Sequence, residues 1–137
     1  MTAAGADRLI AFYGTLRDTK LRRGLGLDGR IRRVGRCRIA GILYNLGPYP
    51  ALGEGRGVVH GELFEVTDPS AFAAMDAFEE YDAARPKLSA YLRVRARLIE
   101  PDLECWVYRY NRTVRGVPRV PGGDWLKHRR MRSAADA

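Results

Sequence analysis

The feature that most constrains this chain is that one segment, Ser70 to Tyr81, has a clear helical pattern, while strand-type segments lie on both sides of it. Asp68-Pro69 precedes it with a capping acceptor and then a proline, which is typical of a helix start. The strand-type segments include Val58 to Thr67 before the helix and Tyr91 to Ile99 and Leu103 to Tyr110 after it. The last two are predicted to form a hairpin with a tight Glu-Pro-Asp connection. This order predicts an α+β fold: a mixed, mostly antiparallel, barrel-like sheet with one principal helix packed on it.

The remaining segments are consistent with one compact unit. With 137 residues, of which 46% are hydrophobic, the chain is predicted to form a single domain over residues 1–137. Arg8 to Leu16 is predicted to start as a short strand and to turn at Gly14, residues 17–27 fit either a helical turn or a loop, and residues 48–57 are predicted to be a loop. Trp125 is expected to pin a short C-terminal helix, and about residues 131–137 are expected to fray.

Several classes of protein are disfavoured by composition. No apolar run approaches the roughly 20 residues needed to cross a bilayer, and the N-terminus lacks the pattern of a signal peptide, so we expect no membrane association and a cytoplasmic location. Cys37 and Cys105 lie in strand-type segments without metal-ligand spacing. They are predicted to be reduced core residues, although a disulfide between them stays open at this point.

The positive charge is the strongest argument for an acidic partner. The formal net charge is +8, from 24 Lys plus Arg against 16 Asp plus Glu. However, the arginines of Tyr91 to Arg97 alternate with apolar residues, which is typical of a half-buried strand with a solvated basic face. No nucleic-acid-binding motif is present, so the sequence argues against nucleic acid as a partner. The oligomeric state cannot be read from these patterns.

Two adjacent glutamates end the helical segment and are not equivalent. At about 100° per residue, Glu79 falls between Met75 and Phe72 on the apolar side, whereas Glu80 falls on the opposite side with Asp76. A carboxylate on an apolar face either escapes to water at an early helix end, pairs with an arginine, or faces a cavity with a raised pKa. The third alternative is what a general base near neutral pH requires, which makes Glu79 the candidate catalytic residue.

A second candidate element is the turn Phe12 to Arg17, whose sequence is FYGTLR. Gly14 permits either a close approach or a positive φ, and consecutive backbone amides in such a turn can bind a carboxylate or an oxyanion. His60 shares a strand face with Glu62, but two such residues without a third ligand are weak evidence for a metal, and we predict a structural role and no metal site. No G-x-S-x-G pattern supports serine hydrolysis.

The ordered combination of these motifs resembles the γ-glutamylcyclotransferase and γ-glutamylamine cyclotransferase family. The matching elements are Tyr13-Gly14-Thr15-Leu16, Gly61 to Val66 followed by Asp68-Pro69, Met75 to Glu79, Tyr91-Leu92-Arg93, and Gly123-Asp124-Trp125. The resemblance implies the family fold and an enzyme that cyclises a small γ-glutamyl compound without cofactor or metal, releasing 5-oxoproline and an amine or amino acid.

The resemblance also implies roles for individual residues. Glu79 would be the general acid and base, and the amides of Gly14, Thr15 and Leu16 would hold the substrate carboxylate or the oxyanion. Tyr13 would line the pocket, and Tyr91 would form a wall or donate a hydrogen bond.

Two positions depart from the family pattern. Glu80 stands where the family often has glycine, and its charge is expected to raise the pKa of Glu79 further or to alter the loop. Tyr91 falls on the arginine face of its strand, so a bulge would be needed to turn it inward. The alternative function is a catalytically silent binding module of the same fold that uses its basic surface to hold an acidic partner.

Overall fold

The backbone alternates five strands with short helices, and the strands form one sheet. The computed structural model describes the backbone of residues 5–136 and the side chains of residues 5–131. The strands are β1 (Leu9–Phe12), β2 (Ile31–Asn45), β3 (Pro50–Val66), β4 (Tyr91–Arg97) and β5 (Glu104–Tyr110). The helices are α1 (Thr19–Gly24), α2 (Ala71–Phe78) and α3 (Trp125–Asp136). Short 3₁₀ turns lie at Ala6–Arg8, Thr15–Arg17, Pro86–Leu88 and Pro121–Gly123.

The sheet has the order β2-β3-β1-β5-β4 and is mixed, which confirms the predicted fold class. Strands β2 and β3, β3 and β1, and β4 and β5 pair antiparallel, while β1 and β5 pair in parallel. The two outer strands also meet, because the Arg38 amide donates to the Glu100 carbonyl at 2.8 Å and the Ile99 amide donates to the Arg38 carbonyl at 2.9 Å. These bonds join β2 to the segment after β4 and give the sheet its barrel-like closure.

Apolar side chains pack on both faces of this curved sheet. Alternation along β1 sends Ala11 and Tyr13 into the interior cluster, which also contains Cys37, Cys105 and Trp125. Both cysteines are buried and free, as predicted. The second cluster lies between the outer face of the sheet and α2, where the α2 residues are Ala71 and Met75, and the sheet supplies residues that include Ile10, Phe12, Phe64 and Tyr108.

The predicted loop over residues 48–57 is wrong for most of its length. Strand β3 begins at Pro50 and pairs with β2 from there, with Asn45 opposite Pro50 and Ile42 opposite Gly53. The glycines that suggested a loop instead permit close strand contact: a Cβ on Gly57 would lie 2.7 Å from the carbonyl oxygen of Gly41. Composition alone does not separate these two uses of glycine.

The helices differ in length from the prediction. Helix α2 is shorter than the predicted segment Ser70 to Tyr81, and Asp68 caps the turn before it by accepting a hydrogen bond from the Ser70 amide at 3.0 Å. Residues 17–27 contain the short helix α1. Helix α3 extends past the predicted short helix through Asp136, into the segment that was expected to fray, and Ala137 lies outside the described residues. Among residues 5–136, no helix is long and apolar enough to cross a membrane.

Candidate active site

A cavity opens beside the end of β1 and the end of α2. Its volume is about 590 Å³ when the adjoining open solvent is included. The structure brings together all six residues that the sequence singled out. They are Tyr13, Gly14, Thr15, Leu16, Glu79 and Tyr91. Segments that are far apart in the chain therefore meet at one place, and their chemical roles stay predictions.

Glu79 is the residue immediately after α2, and its side chain points into this cavity. Its backbone amide still donates to the Met75 carbonyl at 3.0 Å, which keeps the residue on the helical path. The side chain is half-buried, and burial raises the pKa of its carboxyl from 4.5 to about 8. Among the described residues, no group forms a hydrogen bond or an ion pair with this carboxyl. The helix does end at Phe78, but Glu79 neither escapes into open water nor pairs with an arginine.

Glu80 explains why the helix stops there. It has a φ of 54°, which is the left-handed region that usually favours glycine. Its amide donates to Ala77 at 3.2 Å and the Tyr81 amide donates to Asp76 at 2.8 Å, which together form a Schellman motif. The exposed Glu80 side chain lies at the rim of the cavity. The expectation that its charge raises the pKa of Glu79 further is not supported, because burial alone accounts for that rise.

The turn that lines the cavity together with Glu79 has unused backbone amides. Residues Thr15–Arg17 form a 3₁₀ turn in which the carbonyls of Gly14 and Thr15 accept bonds from Arg17 and Asp18 at 3.0 Å. Within residues 5–136, no backbone or side-chain acceptor takes a hydrogen bond from the amides of Gly14, Thr15 or Leu16. Unused amides of this kind are suited to bind an anion or a developing oxyanion.

Gly14 is required for close approach rather than for a positive φ. Its φ is −124°, but a Cβ at this position would lie 2.7 Å from Cγ of Pro50. Pro50 begins β3 and lines the cavity. The glycine therefore lets the turn of Gly14, Thr15 and Leu16, which we call the amide turn, pack directly against the start of β3.

Arg17 fixes the amide turn to two other elements, and sequence reasoning missed it. Its Nε donates to Glu62 at 3.0 Å and its Nη1 donates to Asp124 at 3.0 Å, with only 12% of the side chain exposed. Asp124 also caps α3, since it accepts a hydrogen bond from the Lys127 amide at 3.2 Å. Asp124 therefore stabilises both the turn and the start of α3. The only available signal was an arginine directly after the turn.

Tyr91 reaches the cavity without a bulge. The pairing of β4 with β5 is regular from Tyr91 opposite Tyr110 to Arg97 opposite Glu104. The arginine face of β4 is the face that α2 covers, so the alternation that seemed to turn Tyr91 away places it beside Glu79. Its hydroxyl donates to the Pro50 carbonyl at 2.8 Å. The need for a bulge was a wrong expectation, because the sequence does not show which face of a strand a helix covers.

Asp76 and Arg93 form an ion pair beneath α2 that sequence reasoning also missed. The helical wheel placed Asp76 in solvent, but its Oδ1 lies 2.9 Å from Nε of Arg93 and accepts the Tyr108 hydroxyl at 2.6 Å. The Arg93 guanidinium lies 4.5 Å from the ring centroid of Phe72 and 4.6 Å from that of Trp106. The ion pair therefore ties α2 to β4 and orients Tyr108, which lines the cavity. The position of the Tyr108 ring is therefore set by this hydrogen bond as well as by packing within the sheet.

The comparisons with known proteins give the family of the chain. The model of the family described as "Gamma-glutamyl cyclotransferase, AIG2-like" matches residues 10–127, a span that contains all six predicted site residues. The chain belongs to this family. The gamma-glutamylcyclotransferase family protein YtfP of Escherichia coli K12 is 36% identical over 85 residues, which span 61% of this chain and 66% of YtfP, just under two thirds of its length. A Vibrio cholerae relative is 30% identical over 122 residues, 88% of this chain and 97% of its own.

Solved structures show the same cyclotransferase-family fold. The solution structure of Escherichia coli YtfP superposes with a TM-score of 0.66 at 30% identity, over 88% of this chain and 98% of that one. An uncharacterised protein from Pyrococcus horikoshii, PH0828, gives a TM-score of 0.70 at 23% identity, over 93% and 97% of the two chains. At that identity the second likeness shows the fold alone.

Two tyrosines complete the wall around Glu79 in this family member. The Tyr13 hydroxyl donates to the Tyr108 carbonyl at 2.5 Å. Burial first, and then the charge of Glu79, raises the pKa of the Tyr13 hydroxyl well above its ordinary value. Burial also raises the pKa of Tyr108. Both hydroxyls are therefore protonated near neutral pH, whereas the Glu79 carboxyl can gain or lose its proton there.

Part of the basic surface is paired with acidic groups. Arg32 lies 2.7 Å from Glu65, Arg33 lies 2.9 Å from Glu62, and Arg95 contacts Asp7. Glu62 is thus an ion-pair partner of two arginines, Arg17 and Arg33. No group of three or more His, Cys, Asp or Glu residues in the described part of the chain is placed to hold a metal.

Proposed function

We propose that this protein is a γ-glutamyl cyclotransferase in which Glu79 is the general acid and base. The observation that carries this proposal is a half-buried carboxyl that has no counter-ion among the described residues and that lines one cavity together with a turn whose backbone amides are unpaired there. Family membership supports the class of reaction. The substrate would be a small γ-glutamyl amide.

The reaction closes a ring within the substrate. The α-amino nitrogen attacks the γ-carbonyl carbon, a new carbon–nitrogen bond forms a five-membered lactam, and the bond from that carbon to the leaving nitrogen breaks. The nucleophile and the carbonyl belong to one substrate molecule. Binding that molecule in a bent conformation in the cavity therefore supplies most of the required proximity. One amide is exchanged for another and one proton is moved, so the balance requires no oxidant, reductant or added water.

Glu79 would move that proton. In its ionised form the carboxylate accepts a proton from the attacking amino group and returns it to the leaving nitrogen. A free α-amino group has a pKa of about 7.7–8.0, and burial raises the pKa of the Glu79 carboxyl to about 8. Proton transfer between groups of matched pKa is close to isoenergetic, which is favourable for general acid–base catalysis near neutral pH.

The amide turn would supply the electrostatic part of catalysis. The amides of Gly14, Thr15 and Leu16 would hold either the substrate α-carboxylate or the negative charge that develops on the γ-carbonyl oxygen. Tyr13 and Tyr91 would form walls of the pocket, and the bond from Tyr91 to Pro50 would keep its ring in place. These residues all line one cavity, which supports the proposed roles.

The test is release of 5-oxoproline from a panel of γ-glutamyl amino acids and γ-glutamyl amines by the wild-type protein and Glu79→Gln. Loss of a general base is expected to reduce kcat by roughly 100- to 10,000-fold. Glu104→Gln is the matched control, because Glu104 is exposed and begins β5 at the end away from the cavity.

The outcomes separate the two candidate functions. Full activity of Glu79→Gln on every substrate that is turned over would refute the assigned role. No release from any member of the panel would favour the silent binding module, whose binding to an acidic partner should weaken steeply as salt is added.

A further inference from the structure

The charge of the cavity is opposite to the charge of the protein. The whole chain has 24 Lys plus Arg and 16 Asp plus Glu. Within the described part of the chain, however, the only charged side chains that line the cavity are Glu79 and Glu80. The α-carboxylate of a γ-glutamyl group would therefore be held by backbone amides. Its α-amino group would interact with Glu79. The γ-glutamyl part of the substrate would then have no charged group to pair with Glu80.

Glu80 occupies its position at an energetic cost. A non-glycine residue is strained in the left-handed region, and Glu80 adopts a φ of 54° there. Its carboxylate forms no ion pair or hydrogen bond with another described residue, so the side chain itself does not offset that cost. Strain that persists at the rim of a site is an indication of a functional constraint on the residue.

Aromatic rings lie around the same rim. Tyr49 and Tyr91 both line the cavity, and 52% of the surface of Tyr49 is exposed. Tyr91 also packs against Tyr110 with ring centroids 5.3 Å apart. Glu80 and Tyr49 are both near enough to Tyr91 to contribute to the raised pKa of its hydroxyl, after burial and Glu79. A carboxylate beside tyrosine faces is a favourable environment for an ammonium group.

We propose that Glu80 and the neighbouring tyrosine rings select γ-glutamyl substrates whose leaving amine carries a second, positively charged amino group. This inference rests on the proposed function, because it assigns the mouth of the same cavity to the leaving group. The γ-glutamyl part occupies the floor beside Glu79 and the amide turn, and the leaving amine extends past Tyr49 and Glu80 toward solvent. A leaving group with a free carboxylate meets the like charge of Glu80 and is disfavoured.

The experiment compares three substrates that differ only at the end of the leaving group. These are the γ-glutamyl amides of 1,4-diaminobutane, pentylamine and 5-aminopentanoate, which end in an ammonium, a methyl and a carboxylate group on chains of equal length. We expect kcat/KM for 5-oxoproline release to decrease in that order. An exposed ion pair is worth up to about 1 kcal/mol, so each step is expected to be roughly five-fold.

The variants then assign the selectivity to Glu80. Glu80→Gln should reduce the ratio of kcat/KM between the ammonium and methyl substrates roughly five-fold, and Glu80→Lys should invert the order of the ammonium and carboxylate substrates. Glu104→Gln should leave all three ratios unchanged. Addition of about 0.5 M salt should reduce the wild-type ratios, since exposed charges are screened over a few ångströms at that concentration.

A binding measurement separates this inference from the proposed reaction. Titration calorimetry of the three compounds with Glu79→Gln, and with that variant also carrying Glu80→Gln, reports selectivity without turnover. Cyclisation without the ammonium preference, or with a preference that Glu80→Gln leaves intact, would overturn the inference alone. Ranked binding without cyclisation of any compound would retain it and overturn the proposed reaction. Equal binding of all three compounds without cyclisation would overturn both.

Discussion

Replacing Glu79 by glutamine should change the pH dependence of stability, and the sign of the change tests the environment of the carboxyl. Burial raises the pKa of Glu79 from 4.5 to about 8 in the folded protein. Between those values the folded protein keeps the proton while the unfolded chain has lost it. The free energy of unfolding of the wild type therefore decreases as pH rises through this window, and the slope vanishes above about pH 8.

The magnitude follows from the size of the pKa change. Each pKa unit corresponds to about 1.4 kcal/mol, so a rise from 4.5 to about 8 costs at most about 5 kcal/mol once the group is ionised. Glu79→Gln removes the titrating group and keeps a similar shape. The variant should gain stability relative to the wild type by up to about 1.4 kcal/mol per pH unit, and this gain should level off near pH 8.

Urea denaturation of both proteins from about pH 5 to about pH 9 measures this difference directly. Glu104→Gln, which removes an exposed carboxylate outside the cavity, controls for the change in net charge. An ion pair between Glu79 and an arginine would lower the pKa and give the opposite sign, with the variant losing stability as pH rises. Parallel curves for Glu79→Gln and the wild type would equally refute a buried, uncompensated carboxyl.

Four further outcomes are expected from the same structure. The kcat/KM of the wild type should rise with pH up to about 8, where Glu79 becomes ionised, in a stopped assay of 5-oxoproline across pH. Glu80→Gly should raise the free energy of unfolding by about 1 kcal/mol in urea denaturation, because glycine adopts the left-handed conformation without strain. Gly14→Ala should lose about 1–3 kcal/mol of stability and most activity, because the new methyl group collides with Pro50, and unchanged kinetics would contradict the packing of the turn. Asp76→Asn should cost about 2 kcal/mol, because it leaves a half-buried guanidinium without its counter-ion, and a stability equal to wild type would contradict that ion pair.

The placement of Glu79 could be predicted because it depends on local periodicity. Three apolar residues of α2, namely Phe72, Met75 and Phe78, define the side that packs on the sheet. The helical repeat puts Glu79 on that side. The end of the helix could not be predicted equally well, since the residue in the left-handed position is Glu80 and not glycine. A left-handed glutamate has no reliable sequence signal, so the predicted helix continued past its true end.

The interpretation of Tyr91 shows a limit of alternation. Alternation predicted correctly that Tyr91 shares a face with Arg93 and Arg95. It does not specify whether that face meets water or a helix, because the choice depends on where α2 crosses the sheet. The same limit applied to residues 48–57, where glycines that permit close strand pairing were interpreted as loop residues.

The contacts that sequence reasoning missed join motifs that are distant in the chain. In each of three motifs, one or more positions line the cavity and a charged position nearby holds the motif against another element. Arg17 follows the amide turn and pairs with Asp124, 107 residues away. Asp76 precedes Glu79 on α2 and pairs with Arg93, which follows Tyr91 on β4.

This arrangement explains why short, individually permissive motifs identify a site when they occur together. The geometry around the cavity depends on Glu79, the amide turn and Tyr91 being held at fixed mutual positions, and none of the three segments fixes its own position. The ion pair between Asp76 and Arg93 connects the motif of Glu79 to that of Tyr91, and the bond from Tyr91 to Pro50 connects both to the wall that receives Gly14. A substitution in any of these contacts should therefore affect activity by displacing a neighbouring motif, even though its side chain touches no substrate atom.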